Sequence, residues 1–549
     1  MWSLWVLAAC SGEEAAGSEF KLHLDPVLAT NQPRLFDEVS QLDLVVQHSD
    51  GSIDEPRDFG TPASGGVLNE SGFEPMENVV LRLEGYEGEG LHAWGRTAPL
   101  TLDEGEQTAS VFMGAVGEIA WLDRLDIDLF GPEVVALGNG RFLATAGMTK
   151  DSGLSAELSE VTAILDLLSP AENLAFGVID APLPLYAELG VGEEVTRGRL
   201  GATLTALDDG RVLLTGGGRT YPIAAGSSAS RDLEIWDPDT AQWSADERLA
   251  YPRSGHIAIK NALGRVLFWG GVATEYEDDE HMSPATAFTP MYLEYFDPEQ
   301  DATEKVQIPD ELGAGSLGVG AANFGGQDGT LICGGIEFVR IDADADGSED
   351  DDVWRSTARC IRVETSGNDY LPDDDMALSL AGHAMVTLAD GRLLLTGGAN
   401  QDDPMVIGRY IDDYHGEVDA LPNAWTYNPS ASASERWSTA LPEAMNYPRA
   451  GHQMHLLPDG RVLIVGGSST WNNSLMPEGE PVRCAEIFDP NENSFTVVNG
   501  CSDESTTGLE EGAARLSVAA DPDYGLLIAG GVTADQSWAS NVGLYLVRP

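Results

Sequence analysis

At 549 residues the chain is long enough for more than one domain, and 42% hydrophobic residues with 62 glycines suit a turn-rich all-β protein. Its 90 acidic against 30 basic residues give a formal net charge of −60, spread along the chain. That balance argues against nucleic-acid partners, whose phosphates need a positive footprint, and reads as a solvated acidic surface that keeps the protein soluble.

The chain opens on an apolar run ending in Leu7-Ala8-Ala9-Cys10, followed by the small and acidic stretch Ser11–Glu19. This resembles the lipobox of bacterial lipoproteins, in which the signal segment is removed and the cysteine carries the lipid. The resemblance implies a signal segment over 1–10, lipidation at Cys10, a tether over 11–19 and a place in the bacterial cell envelope. Ser11 stands where some bacteria read an Asp as an inner-membrane retention signal, which leans the reading toward the outer membrane or cell surface. No other segment approaches the ~18–20 apolar residues that a membrane-spanning helix needs.

Over 20–117 short alternating runs start at Phe20, Leu42, Val79 and Ala109, separated by Gly, Pro, Asp and Asn clusters. They predict a small β-sandwich that is similar to Ig-like or carboxypeptidase-regulatory-like modules and spaces the rest of the chain from the membrane. The Pro-, Gly- and acid-rich stretch from Ser49 to Glu77 reads as a long loop.

From there a phrase recurs: RLGATLTALDDGRVLLTGGGR from Arg199, LSLAGHAMVTLADGRLLLTGGAN from Leu378 and AGHQMHLLPDGRVLIVGGSSTW from Ala450. Each copy is two apolar runs joined by an Asp-Gly turn, a hairpin, and each ends in Gly-Gly, where the missing Cβ lets the backbone bend or approach a neighbour. The pair recurs at Gly216, Gly270, Gly334, Gly397, Gly466 and Gly530, with a weaker Ala146-Gly147, at intervals of 54 to 70 residues. Each interval holds four short strands. A second phrase follows at a later offset, in LEIWDPDTAQW from Leu233, LEYFDPEQ from Leu293, WTYNPSASASERW from Trp425 and AEIFDPNENSF from Ala485. Its Asp-Pro begins a turn, and Trp243, Trp437 or Phe495 closes it.

Together with the Arg-x-Gly-His of YPRSGHIAI and YPRAGHQMH, these two linked phrases resemble the kelch repeat over roughly 120–549. The resemblance implies a β-propeller over 118–549 in which each repeat is one four-stranded blade. Seven blades are expected, with six as the alternative because the first copy is degraded. The last repeat has only one strand after Gly531, so its fourth must come from elsewhere, and EIAWLDRLDID from Glu118 is placed to supply it and remove an exposed edge. With Cys10 set aside, Cys333 and Cys360 fall in one repeat and Cys484 and Cys501 in another. Two disulfides within blades follow, in keeping with an oxidising compartment, although four cysteines permit three pairings.

The connections after each Gly-Gly are long while the opposite turns are tight, so one face of the propeller is elaborated and is the place for function. On it Asp342, Asp344, Asp346 and Asp350 have the D-x-D-x-D-G spacing of a calcium loop, whose alternate carboxylates converge on one hard cation. Position twelve is Val353 where an EF-hand places Glu, and a hydrated acidic loop is the other reading. Tyr276, Tyr410, Tyr414 and Trp471 are candidates for stacking contacts with a ligand. His256, His383 and His452 hold one equivalent position, where kelch repeats carry a structural His; His281 and His415, in acidic loops, are the better metal candidates. Copper oxidases similar to galactose oxidase need paired Tyr and His ligands with a Tyr–Cys crosslink, which is not found, nor are a sialidase box, a nucleophilic serine motif or a phosphate-binding glycine loop.

The reading is a non-enzymatic, monomeric, lipid-anchored envelope protein whose propeller binds a protein or glycan, with calcium as its one candidate cofactor. A carbohydrate-active enzyme using loop carboxylates and a structural surface spacer are the alternatives.

Overall fold

The computed structural model describes residues 21–28, 32, 35–58, 75–97, 99–103, 106–122, 131–147, 159, 161–167, 176–178, 199–218, 229–274, 287–288, 292–307, 317–324, 329–341, 351–365, 370–400, 405–406, 418–471, 479–498, 501, 509, 514, 516–531, 533 and 542–547. Among these the chain is all-β apart from one 3-10 turn at Leu35–Asp37. No helix of the described residues is long and apolar enough to cross a membrane.

The alternating runs near the N-terminus form one sheet in the order Lys21–Leu28, Glu106–Ala115, Gly90–Arg96, Met76–Glu87, Gln41–Gln47, Arg57–Asp58. The first pair is parallel and the others antiparallel, while Leu100–Leu102 pairs with the start of Met76–Glu87. Successive side chains of a strand point to opposite faces. Ala93, Val111 and Met113 accordingly turn into a core with Leu35, Val39, Leu44, Leu81 and Leu83. Trp94 and Phe112 turn the other way, into a core shared with Phe142, Tyr524, Leu544 and Leu546. The N-terminal sheet is therefore packed directly on the far end of the chain. Arg96 meets Asp523 at 2.9 Å and lies over the Tyr524 ring, and the Tyr524 hydroxyl donates to the Thr97 carbonyl at 2.9 Å.

The repeated phrases build successive antiparallel units, numbered here in chain order. Unit 1 comprises Glu133–Gly138, Arg141–Thr145, Thr162–Asp166 and Phe176–Val178. Units 2 and 3 run into each other, because the strand Gln242–Lys260 pairs with Ser230–Asp237 up to Arg253 and with Val266–Thr274 from Ser254 onward. Unit 4 comprises Gly320–Asn323, Thr330–Cys333, Cys360–Val363 and Tyr370–Pro372. Unit 5 has Ala384–Thr387, Leu393–Thr396 and Ala424–Tyr427, with Trp437 bridged to Tyr427 where a fourth strand would stand. Unit 6 comprises Gln453–Leu456, Val462–Val465, Glu486–Asp489 and Ser494–Val497. In unit 7, Ser517–Asp521, Gly525–Ala529 and Val542–Leu546 are joined by Ile119–Leu122, the segment beginning near Glu118, which pairs antiparallel with Val542–Leu546.

First strands of consecutive units lie side by side, and that of unit 7 lies beside that of unit 1. There the Val134 N–H donates to Ser517 Oγ, and the Gly140 N–H to Asp521 Oδ2, both at 3.0 Å. Turn chemistry is local and repeats. Asp209, Asp390 and Asp459 each accept the N–H two residues on at 3.0 Å, as do Asp237, Asp297 and Asp489 of the Asp-Pro turns at 2.8 to 3.0 Å. The disulfides pair Cys333 with Cys360, on directly opposed residues of unit 4, and Cys484 with Cys501 in unit 6.

Candidate functional site

The Gly-Gly pairs explain how the units meet. Both glycines adopt positive φ in every full copy, for example 61° and 86° at Gly216 and Gly217. A Cβ on Gly216 would stand 2.4 Å from the Arg253 carbonyl oxygen and 2.7 Å from His256 Cε1 of unit 3; on Gly397 it would meet Arg449 and His452 of unit 6 at 2.3 and 2.7 Å. Absence of that carbon lets the next unit's first strand close in.

Each Arg-x-Gly phrase then fastens its own unit. Arg199, Arg253 and Arg449 are fully buried and donate to the carbonyls of Gly216, Gly270 and Gly466, at 3.3, 2.8 and 3.0 Å. Each also pairs with a buried glutamate of the third strand: Glu234, Glu294 at 2.8 Å and Glu486 at 2.7 Å. Burial pulls the guanidinium pKa values down, that of Arg199 to about 10, which leaves Arg199 charged at neutral pH. In unit 5 the two positions hold Leu380 and Trp425, both buried in an apolar core. The pair is present as an ion pair or replaced as a whole, as the cost of an unpaired buried charge requires. Sequence reading missed these pairs, though the signal was there: the arginine stands 17 residues before the first glycine each time, and Leu-Glu or Ala-Glu opens the second phrase.

The repeated histidines bolt one unit to the next. His256 Nε2 pairs with Thr203 and Thr215 of unit 2, both at 3.1 Å, and His452 Nε2 with Thr396 of unit 5 at 2.8 Å. His383 lies against Gly320 and Gly334 of unit 4, where Cys333 stands in place of the threonine, and neither of its ring nitrogens has a partner among the described residues. Burial pushes His256 down to about 3 and His383 to about 4, and holds His452 well below its ordinary value, so all three are neutral. Among the described residues no three His, Cys, Asp or Glu side chains gather as a metal-binding group.

Among the described residues the connections after Gly-Gly carry extra strands in units 3 to 6, and Ala287–Phe288 pairs with the end of Val266–Thr274 in unit 3. The connection after Gly335 is a hairpin, Ile336–Ile341 paired with Asp351–Ser356, and Met405–Val406 from the connection of unit 5 adds a third strand. Val418–Asp419, from the same connection, pairs with Thr470–Trp471 of unit 6. Beneath this cap, Gly318, Gly382 and Gly451, each at the entry to a first strand, are joined in series: the Gly382 N–H donates to the Gly318 carbonyl at 2.8 Å and the Gly451 N–H to the Gly382 carbonyl at 2.7 Å. The Trp471 ring lies on all three, so that a Cβ on Gly382 would come 2.5 Å from it and one on Gly318 2.8 Å. Trp471 is thus half-buried, one expected stacking residue serving as a lid on the glycine arc. Tyr276, Tyr410, Tyr414, Asp342, Asp344, Asp346, Asp350, His281, His415 and Cys10 lie outside the described residues. Asp342 to Asp350 fall in sequence between the paired hairpin ends Ile341 and Asp351.

Antiparallel units, mostly four-stranded, whose first strands stand side by side define a propeller fold. Among solved structures the chain is similar to a fungal alcohol oxidase of the AA5 family in complex with copper, at 13% identity over 78% of this chain and 76% of that one, with a TM-score of 0.50. It is also similar to the structure of YjhT, at 15% identity over 69% of this chain and 99% of that one, with a TM-score of 0.43. At 13% identity the first likeness is one of fold. No family model and no curated protein sequence matches the chain. The described residues do not fit a copper centre: His256 and His452 are turned into the seams and bonded to threonines, and all four cysteines after Cys10 are in disulfides.

Proposed function

We propose that the chain is a seven-bladed, closed propeller of kelch type that acts as a non-enzymatic binding scaffold, monomeric and anchored in the bacterial cell envelope through Cys10. It engages a protein or glycan at the cell surface through the face that carries the cap. Seven blades are supported by the seven units and by the neighbouring of units 7 and 1; closure is supported by Ile119–Leu122 completing unit 7. Residues 20–117, expected above as a β-sandwich, are proposed as a domain of their own; their described strands make one sheet, docked on units 1 and 7 through Arg96, Tyr524 and their shared core.

The observation that carries the functional reading is the asymmetry of the two faces. Connections of units 4, 5 and 6 are woven into extra β-structure across unit boundaries, whereas the opposite turns of units 5 and 6 are short Asp-Gly-Arg links. A rigid scaffold with one built-up face is what recognition needs. Calcium at Asp342, Asp344, Asp346 and Asp350 remains the proposed cofactor of that face, and Tyr276, Tyr410 and Tyr414 its proposed contacts.

The test is saturable capture of an envelope fraction by immobilised protein, with Trp471→Ala as the site variant. Saturable binding weakened by the variant supports the scaffold. Turnover on a glycan panel, lost on neutralising loop carboxylates, would replace the scaffold by an enzyme.

A further inference from the structure

The histidine in the seam between units 4 and 5 has different neighbours from the other two. In the seam of units 2 and 3, His256 Nε2 meets the hydroxyls of Thr203 and Thr215, which are directly opposed on the first two strands of unit 2. In unit 4 the same two places hold Gly320 and Cys333, again directly opposed, and Cys333 is spent in a disulfide. His383 is 5% exposed, and neither ring nitrogen has a partner among the described residues. A buried polar group left in this state is costly and calls for an explanation, of which a bound ion is one.

Sulfur borders the ring where oxygen has been lost. The place where a Cβ on Gly320 would stand is 2.5 Å from His383 Nε2 and 2.9 Å from Met385 Cγ. The corresponding place on Gly334 is 2.6 Å from His383 Cε1 and 2.7 Å from Met376 Cε. Each of these methionine carbons is bonded to its sulfur, so two thioethers stand beside the Cε1–Nε2 edge of the ring. The seam of units 5 and 6 shows how such a pair can converge. Met454 follows His452 by two residues, as Met385 follows His383, and its sulfur lies 3.0 Å from Thr396 Oγ1, the atom that His452 Nε2 meets at 2.8 Å. His383 and Met385 repeat that spacing without the hydroxyl between them. Imidazole and thioether are uncharged donors, and thioether selects soft cations over calcium or magnesium. Burial keeps the His383 ring neutral, the form that ligates.

We propose that the seam between units 4 and 5 holds a soft monovalent cation, of the silver(I) or copper(I) kind, through His383 Nε2 and the sulfurs of Met385 and Met376. The donor set differs from the paired Tyr and His of the copper oxidases, and no redox step is attached to it. The proposal is independent of the scaffold reading.

The probe is silver(I) nitrate, titrated into the full chain in chloride-free buffer with mild detergent after any free Cys10 thiol has been blocked with iodoacetamide. Native mass spectrometry and melting temperature are the readouts. The wild type is expected to retain one equivalent and to melt at a higher temperature when loaded. Met385→Leu and Met376→Leu conserve volume and so keep the fold. Either is expected to weaken binding at least about tenfold, and His383→Leu to abolish the retained equivalent. Met454→Leu, beside Thr396 in the next seam, is the matched control and should bind as the wild type does. No retained equivalent in the wild type, equal binding by the variant that combines Met385→Leu with Met376→Leu, or the same weakening by Met454→Leu would overturn the site. Zinc(II) held as tightly as silver(I) by the same residues would overturn the assignment to a soft cation.

Discussion

Glu486→Gln is the sharpest probe of the propeller's internal fastening. Glu486 is fully buried and its carboxylate accepts from Arg449 at 2.7 Å, from the Asn446 backbone and side chain at 2.7 and 2.8 Å, and from the Tyr447 N–H at 3.2 Å. The amide keeps an acceptor oxygen but removes the charge, which leaves the Arg449 guanidinium buried against carbonyls alone. Breaking a buried pair in this way costs about 3–5 kcal/mol. Replacing both partners by the apolar pair that unit 5 already uses, Arg449→Leu with Glu486→Trp, should recover part of that loss. Recovery will be incomplete, because the Asn446 and Tyr447 amides then lose their acceptor. Urea denaturation of wild type, single and double variants measures the cycle. A single variant within about 1 kcal/mol of wild type would refute the argument that the pair fastens the unit.

Gly382→Ala should destabilise by about 2–3 kcal/mol, since its Cβ would stand 2.5 Å from Trp471 at a φ of 69°; combining it with Trp471→Ala should relieve the steric part, and strict additivity would show that the ring does not rest there. The buried histidines should weaken the protein in acid: their folded pKa values, about 3 for His256 and about 4 for His383 and His455, lie below the ordinary 6.5. The unfolded chain thus binds more protons below pH 6.5, and stability falls from there toward the folded values. His383→Leu, which removes two nitrogens with no partner among the described residues, should flatten that fall and raise the melting temperature at low pH; an unchanged pH slope would count against it. Converting Cys484 and Cys501 to serine opens a 17-residue loop and should cost about 3 kcal/mol in denaturant titrations. Calcium is expected to bind with one-to-one stoichiometry and raise the melting temperature, the effect being lost in Asp342→Ala and Asp346→Ala; no heat of binding at millimolar calcium would remove the site.

Much of the fold is written in local chemistry. Alternation produces the strands, Asp-Gly-Arg and Asp-Pro produce the turns through bonds two residues long, and Gly-Gly marks where a first strand closes on its neighbour. Such features depend on residues a few positions apart, so one reading of the repeat finds them all. The disulfide partners were legible for the same reason, since each lies within one repeat. The Arg–Glu pairs were legible in principle from their fixed spacings and were passed over because a charged residue in a strand reads first as exposed. Tertiary structure alone decided the rest. That Trp471 covers glycines from three units, and that Tyr524 bonds Thr97 from 427 residues away, depends on how packed faces align once distant parts of the chain have come together. Local pattern tells each strand which face to bury, but only packing selects the face it is buried against.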